Sequence, residues 1–70
     1  MGNLSKRLAK RLLELRGETP QYLFARRLGI SKSSLNRMEL GDQNVALKTL
    51  ERLCTRLRCD VSDLFPKDTR

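Results

Sequence analysis

The sequence predicts an all-α fold, a compact bundle of five short helices, and two observations favour it. Leucine supplies most of the apolar residues and β-branched apolar residues are few, a composition that favours helices over strands. Apolar residues recur three or four positions apart, in segments bounded by residues that commonly cap or end a helix. The chain has 70 residues, so residues 1–70 are expected to form one domain with a modest core.

The first helix is predicted from about Leu4 to Arg16, with Asn3 as its N-cap and Gly17 as its stop. An apolar stripe at this spacing also occurs in helices that lie on membrane surfaces. A packed core face is the favoured interpretation, because the rest of the chain supplies apolar partners. The stripe consists of Leu4, Leu8, Leu12 and Leu15.

Two short helices joined by a tight turn are predicted at about residues 20–39. Thr19 is expected to cap the second helix, with Pro20 at its first position, where a missing N–H costs nothing. Gly29 can end that helix in the left-handed conformation, and Ser31 can cap the third helix, which runs from Ser31 or Lys32 to Glu39. Two helices joined through a glycine turn form a helix-turn-helix.

Two more helices are predicted in the C-terminal third of the sequence. The fourth is expected from about Val45 to Arg58, with Asn44 as its cap. Its apolar stripe consists of Leu47, Leu50, Leu53, Cys54 and Leu57. A short fifth helix is predicted to begin after the cap Asp60 and to end at Pro66.

The charge balance points to a polyanionic partner. The formal net charge is +7, from fifteen Lys and Arg against eight Asp and Glu, and nucleic acid is the usual partner of so basic a small domain. The charge is uneven. Residues 1–16 carry five cations and one Glu, whereas residues 31–45 carry two charges of each sign.

Several other classes of protein are not expected. Cys54 and Cys59 are the only cysteines and the chain has no His, so no metal site or cofactor is predicted. No segment approaches the ~18 apolar residues of a membrane span, and no signal peptide is apparent, so a reducing cytoplasm is expected. Without a nucleophile motif or a metal cluster, an enzyme is not expected either. Both thiols are interpreted as core residues, with a redox switch as the alternative.

Two consecutive stretches of the sequence together resemble a known protein family. The stretch ARRLGISKSSLNRMELG, followed by ALKTLERLCTRLRCDVSDLF, resembles the phage-repressor and Cro-like helix-turn-helix family, also called the XRE family. The resemblance covers about Pro20 to Phe65. It implies a DNA-binding fold in which the third helix enters the major groove.

The third helix has an outer face suited to base reading. Ile30, Leu35 and Met38 are expected to fix this helix to the core. Arg or Lys suits guanine, Asn suits adenine, and Ser is tolerant. The side chains left for base contacts are Lys32, Ser33, Asn36 and Arg37.

The resemblance implies further roles. Gln21 is expected to contact a phosphate and brace the base-reading residues, and Glu39 to pair with Arg16 or Arg11. Asp42 and Leu40 replace residues that often approach phosphate in relatives, which is expected to weaken backbone contact. The predicted DNA-backbone contacts are Gln21, Ser31, Ser34 and Asn44.

The leading hypothesis is a sequence-specific regulator of transcription that binds double-stranded DNA as a homodimer, such as a small phage or prophage repressor. Leu64 and Phe65 are expected to serve dimerisation, with one anchoring the fifth helix and the other reaching the partner copy. The alternative is an antitoxin-type interaction module that binds a toxin and its own operator. A single-stranded RNA binder is a weak third hypothesis, since one Tyr and two Phe are too few for base stacking.

Overall fold

The computed structural model describes residues 4–41 and 45–65, and within these ranges it is helical without any strand. The predicted all-α fold is confirmed. The predicted cap Asn3 and the predicted stop Pro66 lie outside the described residues. The helices are α1 (Leu4–Arg16), α2 (Gln21–Leu28), α3 (Lys32–Leu40), α4 (Leu47–Leu57) and α5 (Val61–Leu64).

α1 has the predicted bounds but buries a narrower face than its leucine stripe predicts. Leu8, Ala9 and Leu12 are buried, whereas Leu4 is 58% exposed and Leu15 is 37% exposed. Assigning these last two residues to the core was therefore wrong. They lie near the two ends of α1, which packs against α3 and α5.

The turn between α2 and α3 forms as predicted. Gly29 has φ +75°, which only glycine adopts without a steric penalty. Its N–H donates to the carbonyl of Arg26, and the next N–H, from Ile30, donates to Ala25, which completes a Schellman motif. Ser31 then caps α3, because its Oγ accepts from the N–H of Ser34 at 3.0 Å.

The start of α2 lies one residue later than predicted. Pro20 has ψ 144° and is the N-cap residue, so Thr19 is not the cap and Pro20 is not in the first turn. The carbonyl of Pro20 accepts from the N–H groups of Leu23 and Phe24, both at 3.1 Å. Thr19 instead belongs to the turn after α1, since its N–H donates to the carbonyl of Arg16 and its own carbonyl accepts from the Arg16 guanidinium.

α4 is shorter than predicted at both ends. It begins at Leu47, after an extended Ala46, and the predicted start at Val45 was wrong. Asn44, its predicted cap, lies outside the described residues. Arg58 is not helical: it takes the left-handed conformation at φ 55° and closes a second Schellman motif.

Side chains from all five helices meet in one core. The fully buried large residues come from each helix, and α2 lies between α3 and α4. α5 begins at the predicted cap Asp60, whose N–H donates to the Asp63 carboxylate at 2.9 Å. The largest fully buried side chains are Phe24, Leu12, Leu28, Leu35, Leu53 and Leu64.

Among the described residues, the longest helices are too short and too polar to cross a bilayer.

Candidate nucleic-acid interface

α3 separates a buried face from a polar, exposed one. Leu35 and Met38 are buried, at 0% and 2% exposure, and fix the helix against α1 and α2. The helix is therefore held by its apolar side while the opposite side meets solvent. All four predicted base-reading residues are exposed and lie on this outer side: Lys32, Ser33, Asn36 and Arg37.

Glu39 is buried beneath this face and has a partner for each carboxylate oxygen. Its Oε2 accepts from Arg16 Nε at 2.8 Å, and its Oε1 accepts from Gln21 Nε2 at 2.7 Å. A buried carboxylate needs such partners, because water no longer solvates it. The predicted pairing of Glu39 is therefore made with Arg16. Arg11, the other candidate, instead contacts Glu14 and the carbonyl of Asp63.

Gln21 also reaches the exposed face of α3. Its Nε2 lies 3.3 Å from Oδ1 of Asn36, in addition to its hydrogen bond to Glu39. Because Asn36 accepts through Oδ1, its amide nitrogen and the two N–H groups on it take no part in this contact. The contacts thus link the first residue of α2 to both the buried and the exposed side of α3.

The other predicted backbone-contacting residues lie at the start of α3. Ser31 is exposed and Ser34 is half-buried, and their hydroxyl oxygens are 3.0 Å apart. These two hydroxyls and the first N–H groups of α3 therefore form one polar group at the positive end of the helix. Asn44, the fourth predicted residue, lies outside the described residues.

The two residues predicted for dimerisation have different surroundings. Leu64 is fully buried at 0% exposure and packs in the core, so it is the anchor of α5. Phe65 is half-buried against the core, and its carbonyl accepts from the Arg7 guanidinium at 2.7 Å. Of the pair, Phe65 alone retains surface that another molecule could contact.

The sequence did not reveal the exposed apolar surface between α4 and α5. Leu47 is 80% exposed and Val61 is 47% exposed, although the helical stripe placed Leu47 in the core. Leu47 occupies the first position of α4, directly after the extended residue Ala46. Both residues line an open groove with Leu50, Glu51, Cys54, Thr55 and Asp60.

Cys54 and Cys59 are free thiols, half-buried where α4 ends. The Schellman motif brings the two residues together, since the N–H of Cys59 donates to the carbonyl of Cys54 at 3.0 Å. Burial raises the pKa of the Cys59 thiol, and the neighbouring Cys54 and Asp63 raise it further. Cys59 therefore stays protonated at neutral pH, which disfavours reactivity.

Comparison with protein families decides what this arrangement of helices is. A family model described as the Cro/C1-type HTH DNA-binding domain matches residues 3–66. The chain belongs to this family. Membership makes DNA the partner and a DNA-binding regulator the class of function. No curated protein matches the chain, and no solved structure matches it.

Proposed function

We propose that this Cro/C1-type domain is a sequence-specific regulator of transcription that binds double-stranded DNA as a homodimer, with α3 in the major groove. The observation that carries the proposal is the exposed row of four polar side chains on a helix whose other side is fixed by Leu35 and Met38. A helix held in this way presents its side chains to the bases in one orientation, which base reading requires.

The four side chains have distinct chemistry for base contacts. Arg37 has a planar guanidinium that matches O6 and N7 of guanine, and Asn36 offers the donor and acceptor pair that suits adenine. The contact from Gln21 supports this role of Asn36, because it restricts the rotation of the Asn36 amide. Lys32 and Ser33, in the first turn of α3, supply either base or phosphate contacts.

Phosphate contacts are assigned to the positive ends of two helices. The first N–H groups of α2 and α3 lack intrahelical partners, and a phosphate is well suited to accept from them. Gln21, Ser31 and Ser34 stand at these ends, and with Asn44 they form the proposed backbone contacts. Such contacts set the register of the protein on the duplex and leave sequence discrimination to α3.

A homodimer follows from the small size of the reading surface. One α3 reaches only a few bases, whereas two copies on a two-fold symmetric site double the number of base contacts. The exposed apolar pair Leu47 and Val61, together with Phe65, supports self-association near α5. Burying these side chains between two copies would remove apolar surface from water.

Titration of a labelled duplex carrying a two-fold symmetric site tests the proposal. We expect two copies of the chain per duplex, and weaker binding when one half-site is scrambled. Binding that is equally tight on unrelated duplexes, or one copy per symmetric site, would contradict it.

A further inference from the structure

Four arginines form a cluster where the C-terminal end of α2 faces α4. Arg26 and Arg27 lie in the last turn of α2, and Arg52 and Arg56 lie one turn apart on α4. All four residues are exposed. We define these residues as the arginine cluster.

Hydrogen bonds hold two members of the arginine cluster at the helix-turn-helix turn. Arg52 donates from a guanidinium nitrogen to the carbonyl of Gly29 at 2.9 Å, and Arg56 donates to the carbonyl of Arg27 at 3.4 Å. Arg56 also packs on Gly29, where a Cβ atom would lie 3.0 Å from its guanidinium. These contacts hold the two positive charges against Arg27 and Gly29, five and three residues before α3 begins at Lys32.

The charge of the arginine cluster is not neutralised within the described part of the chain. Arg16 and Arg11 have the carboxylates of Glu39 and Glu14 as partners. The four clustered guanidiniums make no ion pair in residues 4–41 and 45–65, and a carbonyl partner leaves their positive charge intact. The cluster therefore carries four exposed positive charges that no carboxylate in the described residues pairs with.

The proposed reading helix itself supplies little of the charge that DNA binding needs. α3 carries Lys32 and Arg37 as cations and Glu39 as an anion. Affinity for duplex DNA comes largely from cations that neutralise phosphates, so most of it must originate outside α3. The arginine cluster adjoins the start of α3, and guanidinium groups bind phosphate with two parallel hydrogen bonds.

We propose that the arginine cluster contacts the phosphate backbone of the duplex beyond the bases that α3 reads. The inference rests on the proposed function, because α3 in the major groove brings the adjoining cluster to the flanking backbone. An acidic protein surface is the other partner that such a patch could attract. Its position beside α3 favours DNA, since one duplex can then touch both surfaces.

The test compares the parent chain with the double variant Arg26→Gln/Arg27→Gln, whose side chains make no hydrogen bond described for the fold. Affinity is measured across a salt series on two duplexes, one ending at the edges of the symmetric site and one with further base pairs at each end. Arg58→Gln, which removes one exposed arginine at the C-cap of α4, is the control. Arg52→Lys retains the charge while changing the hydrogen bond to Gly29.

We expect the parent chain to bind the longer duplex more tightly than the shorter one, whatever the flanking sequence. The double variant should lose this gain in affinity and bind both duplexes alike. Between 50 and 200 mM salt, the parent should lose about a hundredfold more affinity than the double variant, because about four phosphate contacts, two in each copy of the dimer, are gone. Arg58→Gln and Arg52→Lys should retain the gain. Binding of both proteins to poly-glutamate is measured at the same salt concentrations.

The proposal is overturned if the double variant keeps the full salt dependence and the flanking gain while Arg37→Ala loses site preference. In that case the proposed function stands and the cluster is not a DNA surface. If only the binding to poly-glutamate falls in the double variant, the cluster belongs to an acidic protein partner instead. If the parent chain prefers no duplex and Arg37→Ala changes nothing, the proposed function itself fails.

Discussion

Gln21 and Glu39 are joined by a 2.7 Å hydrogen bond between the side-chain amide of the first residue of α2 and a buried carboxylate of α3. The second oxygen of the same carboxylate is held by Arg16 from the end of α1. One carboxylate therefore sets the relative positions of three helices. The exposed face of α3 depends on this buried arrangement, since Gln21 also contacts Asn36.

Glu39→Ala should destabilise the fold by about 2–3 kcal/mol, because it leaves the Arg16 guanidinium without its anion in a largely buried place. The value lies below that of a fully buried pair, since 23% of the Arg16 side chain is exposed. Urea unfolding followed by circular dichroism measures the difference. Glu18→Ala is the matched control: Glu18 is exposed and the change should cost less than about 0.5 kcal/mol. Equal effects of the two variants would refute the structural role of Glu39.

Arg37→Ala should weaken binding to the preferred site by about 1–3 kcal/mol and relax the preference at one base position. Lys32→Ala should act similarly if Lys32 reads a base, or weaken binding to all sequences alike if it meets a phosphate. Fluorescence anisotropy on the preferred site and on single-base variants distinguishes these results. Arg58→Ala, at the end of α4, removes the same charge away from α3 and should leave the base preference unchanged.

The features that depend on neighbouring residues in the chain, namely turns and helix caps, could be predicted from the sequence. Gly29 and Ser31 specify their own backbone conformation and cap, so the turn and the start of α3 were predicted correctly. The choice of Arg16 over Arg11 for Glu39 was not predictable, because it depends on the angle at which α1 crosses α3. The contact of Arg52 with Gly29, residues 23 positions apart, has no signal in helical periodicity.

The same limit applies to burial. Leu4, Leu15 and Leu47 share helical stripes with core residues, yet they are exposed, and each stands in the first or last turn of its helix. Periodicity identifies the side of a helix that faces the core, whereas the length over which it is covered depends on the packing of the other helices. The groove between α4 and α5 was missed for this reason.

The cysteines are predicted to be structural. Because the pKa of Cys59 is raised in the fold, the folded chain holds its thiol proton more tightly than the unfolded chain. Stability from this group is complete below the ordinary thiol pKa of about 8.5 and is lost as the pH rises through the higher folded value. The stability advantage of the parent over Cys59→Val should therefore shrink as the solution becomes alkaline, in urea unfolding at successive pH values.

A second measurement addresses the redox alternative. The double variant Cys54→Ala/Cys59→Val should fold and bind DNA as the parent does, in reducing and in mildly oxidising buffer. Oxidant-dependent DNA binding that occurs in the parent and vanishes in the double variant would show a switch and overturn the structural interpretation.

The proposed dimer surface predicts a defect in assembly without a defect in folding. Val61→Lys places a charge on an exposed apolar residue of α5, so the helical fold should persist while operator affinity falls at least tenfold through loss of the second copy. Leu13→Lys changes an exposed leucine of α1 and should leave both properties unchanged. Sedimentation with and without operator measures assembly. A Val61→Lys chain that still binds as two copies would exclude this surface.

Leu64→Ala should behave differently from changes at the surface. Leu64 is fully buried, so removing its side chain leaves a cavity and should cost about 2–5 kcal/mol of unfolding free energy. Phe65→Ala should cost less, since Phe65 is half-buried. Thermal unfolding of the two variants decides whether Leu64 is the anchor of α5.

Selection of binding sites from a pool of random duplexes shows whether α3 reads DNA as part of a symmetric dimer. We expect an enriched, two-fold symmetric sequence whose half-sites are about 34 Å apart, one turn of the duplex. Repeating the selection with Arg37→Ala should lose the preference at the same position in both half-sites. Enrichment of no sequence would exclude sequence-specific binding, and selection of the identical sequence by Arg37→Ala would exclude base reading by α3.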